Sequence, residues 1–214
     1  MQFEELRARL TELPHRLPPA PRALMPVLVP TPDGGRPVVP RFPAGTPRNA
    51  AVLVLFHAGP DGEARVVLTE RSAGGHRHAG QVSLPGGAID EAESIVAAAL
   101  REAREEVGLE PEQAGVVVVG SLAPVDVRVS GFRVYPVIAT AAREPVLTAD
   151  EREVAAIISA EVAAFLPGAP IGIETAERDG MRLRYGAYPI GAYRVWGATA
   201  RIMGGLGAWL ARAG

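Results

Sequence analysis

Three glutamates, Glu102, Glu105 and Glu106, stand at i, i+3 and i+4 in a segment, Ile95 to Val107, whose apolar residues recur with the period of an α-helix. They follow a loop that opens on Gly86-Gly87 and runs through Asp90 and Glu93. Residues at this spacing share one helical face, and like charges there repel by a few tenths of a kcal/mol per pair. A cation therefore belongs among them. Oxygen ligands without a cysteine or a nearby histidine suit a hard divalent ion such as Mg²⁺ or Mn²⁺, which usually keeps several waters and binds substrate phosphates as well.

The plain alternative is a solvated acidic face. At about 100° per residue, Ile95, Val96, Ala99, Leu100, Ala103 and Val107 form one apolar sector. Glu102 and Glu106 fall on its border, which places their carboxylates at a rim or cleft. Arg101, one turn before Glu105, can pair with it and hold a rotamer. Glu93 and Arg104 fall elsewhere, and Gly108 is placed to stop the helix.

The pattern of Gly87, five residues, Glu93, seven residues, and then Arg101-Glu-Ala-Arg-Glu-Glu-Val-Gly-Leu109 resembles the Nudix box of nucleoside diphosphate-X hydrolases. Every polar position of that pattern is present. The resemblance implies that Glu102, Glu105 and Glu106 are divalent-metal ligands and that Arg101 and Glu93 support the loop and helix. Gly86 and Gly87 would allow a tight loop and a close backbone approach to metal or phosphate.

Upstream, Leu68-Thr69-Glu-Arg71-Ser72 and His76-Arg77-His78-Ala-Gly80-Gln81-Val82-Ser-Leu84-Pro85-Gly86-Gly87 resemble the segment that marks the coenzyme A pyrophosphatase branch of the Nudix family. Ser130 to Val137 and Trp196 to Ala200 also resemble stretches of that branch. His76 stands where the branch commonly has arginine, and Leu84 where it has phenylalanine. Both departures bear on substrate recognition, not on metal chemistry. The chain has no lysine, so every fixed cation that grips phosphate must be arginine, with histidine as a pH-dependent helper. Arg71 and Arg77 are the leading phosphate contacts, with His78 beside them, although a polar surface loop is the plain reading of 74 to 78. His15 and His57 are read as incidental.

With 214 residues, 48% of them apolar, the chain is expected to form one domain over 1–214. A formal charge of −2 offers no basic footprint, so nucleic acid is not an expected partner. The absence of cysteine excludes disulfides and thiol catalysis. With no basic leader before an apolar run and no uncharged stretch of spanning length, a cytoplasmic location without membrane contact is expected. A homodimer is compatible with these features.

Phe3, Leu6, Leu10 and Leu13 predict a short amphipathic helix, and residues 14 to 47 a proline-rich wrap with a short strand near Val38. Ala51–His57 and Ala64–Glu70 flank Gly-Pro-Asp-Gly and predict a β-hairpin. A short strand at Val82 precedes the glycines, and two long strands, 115 to 127 and 132 to 142, follow the acidic helix. Residues 154 to 166 mix strand and helix signals, 171 to 185 predict a hairpin turning at Arg178-Asp-Gly180, and 195 to 213 a last helix despite Gly204, Gly205 and Gly207. This order predicts a mixed sheet between helices, and the resemblance implies the α/β/α Nudix sandwich.

The reaction implied is metal-dependent cleavage of coenzyme A or acyl-CoA to adenosine 3′,5′-bisphosphate and 4′-phosphopantetheine or its acyl form. Another nucleoside diphosphate derivative, such as ADP-ribose, is the alternative substrate. A nucleotide-binding module without turnover is the alternative of another class. The general base is a box glutamate or an acid of Asp150-Glu151-Arg-Glu153, a segment equally readable as a turn.

Overall fold

The computed structural model describes residues 1–30, 45–73, 80–127, 130–178 and 181–212. In chain order the elements are α1 (Phe3–Leu10), β1 (Val27–Val29), β2 (Arg48–Ala58), β3 (Ala64–Arg71), β4 (Val82–Ser83), β5 (Gly86–Ala88), α2 (Ile95–Val107), α3 (Pro111–Ala114), β6 (Val116–Ser121), β7 (Val125–Val127), β8 (Phe132–Ala141), β9 (Val154–Glu161), β10 (Gly172–Arg178), β11 (Met181–Ile190), β12 (Tyr193–Val195) and α4 (Gly197–Leu210). Single 3-10 turns occupy Arg22–Leu24 and Val162–Phe165.

The predicted hairpin forms between β2 and β3. Gly62, at φ +76°, donates to the Gly59 carbonyl at 2.9 Å, and the Asp61 carboxylate accepts from Glu63 N–H and from Arg65. β2 is central to an eight-stranded mixed sheet. It runs antiparallel to β3 and β5 along one edge and parallel to β8 along the other. β3 in turn carries β4 and β9, and β8 carries β6 and β7.

Because side chains alternate faces along a strand, β2 feeds two cores. Leu53 and Leu55 pack with Ala98, Ala99, Ala103 and Val107 of α2. Val54 and Phe56 point the other way, into Leu6 and Leu10 of α1 and Met203, Leu206 and Leu210 of α4. The fold is thus a mixed α/β sandwich, with α2 on one face of the sheet and α1 and α4 on the other.

One expectation needs correction, and two others gain detail. Residues 115 to 127 are not one strand: Leu122 N–H bonds the Pro136 carbonyl and Ala123 N–H the His15 carbonyl, while Pro124 has no N–H to give, so the ladder breaks between β6 and β7. Residues 154 to 166 resolve into β9 followed by a 3-10 turn. The proline-rich wrap contributes β1, which pairs with β11 (Val27 opposite Arg184) in a second, antiparallel sheet with β10 and β12. The strand expected near Val38 and the turn residues Asp179 and Gly180 lie outside the described residues.

The glycines of α4 answer to packing. A Cβ on Gly207 would collide with the Phe165 carbonyl oxygen, and one on Gly204 would meet Leu24 and the Tyr188 hydroxyl at 2.9 Å. Gly207→Ala is expected to lower stability by about 2 kcal/mol or more through overpacking, although alanine favours a helix over glycine by about 1 kcal/mol. Urea melts check this, and a stabilised variant would contradict the packing argument.

Candidate active site

α2 begins where the Ser94 hydroxyl accepts the Ala97 N–H at 3.1 Å and ends at Gly108, whose φ of +63° is left-handed. Its buried face is Ala98, Ala99, Ala103, Glu106 and Val107, while Ile95, Val96 and Leu100 are only half-buried. The inward stripe thus takes in Ala98 and Glu106 beyond the sector expected on hydrophobicity, and Ile95, Val96 and Leu100 of that sector pack at its margin. Small alanines let the helix approach β2 and β5 closely, and that approach carries Glu106 inward.

Glu106 is 4% exposed. One carboxylate oxygen accepts the Gly86 N–H at 3.0 Å, and the other lies 3.6 Å from the Arg71 guanidinium at the end of β3. Burial pushes its pKa up to about 7, outweighing the opposing pull of the Gly86 N–H and Arg71; the charges of Glu102 and Glu153 add to the rise. Gly86 sits at φ +154°, and a Cβ there would run into the Ala51 carbonyl and Val52.

One turn back, the Glu102 carboxylate lies on Gly87, where a Cβ would come within 2.5 Å of it. Burial raises the Glu102 pKa against the pull of Arg101, with Glu105 and Glu153 adding to the rise. Arg101 organises the rest. It donates to both oxygens of Glu93 at 3.0 Å, to the Ala88 carbonyl at 3.0 Å, to Glu102 at 2.9 Å and to Glu105 at 3.1 Å. This fork holds Glu93 below the usual carboxylate range and its own guanidinium above the usual arginine value.

The structure thus brings Glu93, Glu102 and Glu105 onto Arg101, and Glu106 onto Gly86 and Arg71. Glu105 is the exposed member. Among the described residues no three carboxylate or imidazole groups converge as a finished metal cage. The donor set nonetheless fits Mg²⁺ or Mn²⁺. All donors are hard oxygens, the lack of a Cβ on Gly87 lets the Glu102 carboxylate lie against the loop backbone, and the charge of Glu105 raises the Glu102 pKa and that of Glu102 the Glu106 pKa, which a cation would relieve.

His76, Arg77 and His78 lie outside the described residues. Within Asp150–Glu153, Asp150 is taken by Arg152 at 2.6 Å, which holds its pKa down to about 2 and makes it a poor base; its backbone N–H bonds the Glu106 carbonyl at 2.9 Å. Glu153 is the acid of that segment whose charge reaches both Glu102 and Glu106. His57 is buried, its ring between the Ala58 carbonyl and the Ser159 hydroxyl. Sequence reasoning missed the two-pronged Arg101–Glu93 contact and the depth of Glu106. No periodicity signals the first, because Glu93 precedes the helix.

The NUDIX domain family model matches residues 47–176. The chain belongs to the Nudix family. It is 42% identical over 157 residues to a Cronobacter sakazakii protein called uncharacterized Nudix hydrolase NudL, covering 73% of this chain and 79% of the relative. A NudL of Escherichia coli O7:K1 is 40% identical over 159 residues, with the same coverage of 73% and 79%. Among solved structures, the Nudix hydrolase RenU of M. smegmatis is 30% identical with a TM-score of 0.47, over 64% of this chain and 80% of RenU. The NUDIX domain of Shewanella oneidensis NrtR, solved with ADP ribose, is 24% identical with a TM-score of 0.43, over 56% of this chain and 75% of that domain. As a Nudix hydrolase the chain is a pyrophosphohydrolase acting on phosphorus anhydrides, in a family that generally uses divalent ions such as Mg²⁺ or Mn²⁺. Among the described residues no helix is long and apolar enough to cross a membrane.

Proposed function

We propose that this Nudix hydrolase cleaves the diphosphate of coenzyme A or acyl-CoA, giving adenosine 3′,5′-bisphosphate and 4′-phosphopantetheine or its acyl form. The observation that carries this reading is the placement of the described parts of the segment resembling the coenzyme A branch, residues 68–73 and 80–87. These parts end against the carboxylates, with Arg71 3.6 Å from Glu106, Gly86 N–H bonded to Glu106 and Gly87 beneath Glu102.

Glu102, Glu105 and Glu106 are the residues assigned to hold the metal, which when bound supplies charge neutralisation on the diphosphate and a lowered pKa for the attacking water. Arg71 presents a guanidinium fork to the substrate's phosphate oxygens, and Arg77 and His78 extend that basic segment. Arg101 keeps Glu102 and Glu105 in fixed rotamers through its anchor on Glu93 and the Ala88 carbonyl. Glu153 takes the place of Asp150 as the loop carboxylate offered to the proton of the attacking water, because Asp150 is committed to Arg152.

Incubation of the purified protein with Mg²⁺ or Mn²⁺ and either coenzyme A or ADP-ribose, with separation of the products, tests the reading. Coenzyme A is expected to exceed ADP-ribose at least tenfold in kcat/KM, about 1.4 kcal/mol of differential transition-state binding. Equal or reversed efficiencies would reject coenzyme A as the preferred substrate. Absence of product from either would favour a binding module.

A further inference from the structure

A cavity of about 500 Å³ lies on the face of the main sheet opposite α2, among residues 16–25, the β6–β7 break and α4. Its volume falls within the range of small-ligand sites, roughly 300–1,000 Å³. Leu122, Val125 and Ile202 form its apolar floor, and Arg16, Arg22 and Arg201 stand around it. None of these three guanidinium groups makes an ion pair or a hydrogen bond among the described residues, whereas Arg7, Arg9, Arg65, Arg101, Arg133 and Arg152 are all paired. Among the described residues no acidic side chain lines the cavity.

The walls are held in place from three sides. The His15 carbonyl accepts the Ala123 N–H at 2.7 Å, which ties the start of the Arg16 segment to the β6–β7 break. Leu17 and Pro18 lie so close to α4 that a Cβ on Gly205 would come within 3.2 Å of the Pro18 carbonyl oxygen. Arg22 opens a 3-10 turn in which Leu24 N–H bonds the Pro21 carbonyl at 3.0 Å, and Leu24 is fully buried. A pocket formed in advance loses little freedom when a ligand enters. Three guanidinium forks match a phosphomonoester, which near neutral pH carries about two negative charges on three terminal oxygens. An apolar body on that ester would cover the floor and remove it from water.

This cavity is separate from the carboxylates. Pro136, which lines it, is opposite Val52, and Val52 is opposite Gly86, so the β5–β2–β8 row stands between the cavity and Glu102, Glu105 and Glu106. We infer that Arg16, Arg22 and Arg201 form a second ligand site, apart from the cleavage site, for a small organic phosphomonoester with an apolar body. The inference holds whichever anhydride is cleaved.

Calorimetry without divalent metal, with phenyl phosphate as the probe, tests the site. The wild type is expected to bind phenyl phosphate at least about tenfold more tightly than inorganic phosphate, benzoate or phenol, with affinity falling as salt rises. Arg201→Gln and the double variant Arg16→Gln/Arg22→Gln are each expected to weaken binding at least about tenfold while keeping the wild-type urea midpoint. Ala123→Glu, which sets a carboxylate among intact arginines, is expected to weaken it as much. Glu106→Gln lies across the sheet and is expected to leave the affinity unchanged. A wild type that does not bind phenyl phosphate, or binds inorganic phosphate or benzoate as tightly, would overturn the inference. So would undiminished binding in the arginine variants, or its loss in Glu106→Gln.

Discussion

Glu106→Gln is expected to cost at least a thousandfold in turnover, about 4 kcal/mol of barrier, and at the same time to make the metal-free protein more stable at alkaline pH. The Glu106 pKa rises from 4.5 to about 7 on folding. The folded state therefore holds a proton that the unfolded chain has already lost between those values. Stability is unpenalised below the unfolded pKa, falls as pH rises through the interval, and stays lowered above the folded pKa. A shift of this size corresponds to about 3 kcal/mol at pH 8, which glutamine, still able to accept the Gly86 N–H, does not incur. Urea melts in EDTA at pH 5 and pH 8 measure it. The variant's advantage over the wild type is expected to grow toward pH 8, and an advantage independent of pH would show that Glu106 is not the buried acid described. Retained turnover at saturating metal would remove Glu106 from the metal site.

Arg101→Ala is expected to lower stability, because it leaves the half-buried Glu93 and Glu102 without their counter-charge. Turnover is expected to drop at least a hundredfold, about 2.7 kcal/mol of barrier, as Glu102 and Glu105 lose their fixed rotamers. Arg101→Lys would not rescue it. A single ammonium cannot reach both Glu93 oxygens, the Ala88 carbonyl and Glu102 at once, whereas the guanidinium does. Full activity in the lysine variant would reduce Arg101 to a simple charge.

The hairpin around Gly59 to Gly62, the helix stopped by Gly108 and the membership signalled from Gly87 to Leu109 were legible because each depends on local chemistry: a turn, a cap, or residues fixed a few positions apart. The β6–β7 break was not, since it depends on carbonyls of Pro136 and His15 that lie far off in the chain. The same limit applied within the site. That Glu102, Glu105 and Glu106 share a helical face follows from spacing alone, but which of them is buried follows from how closely α2 sits on β2 and β5. Three alanines and Gly86 and Gly87 permit an approach that draws Glu106 under the sheet edge and leaves Glu105 in solvent. Hydrophobic periodicity ranks residues by their own solubility, so it finds Ile95 and Leu100, which pack at the margin of the core, and leaves Glu106 at the border. Only the packed sheet supplies the backbone N–H and the arginine that make burial of a carboxylate tolerable, and with it the raised pKa of Glu106.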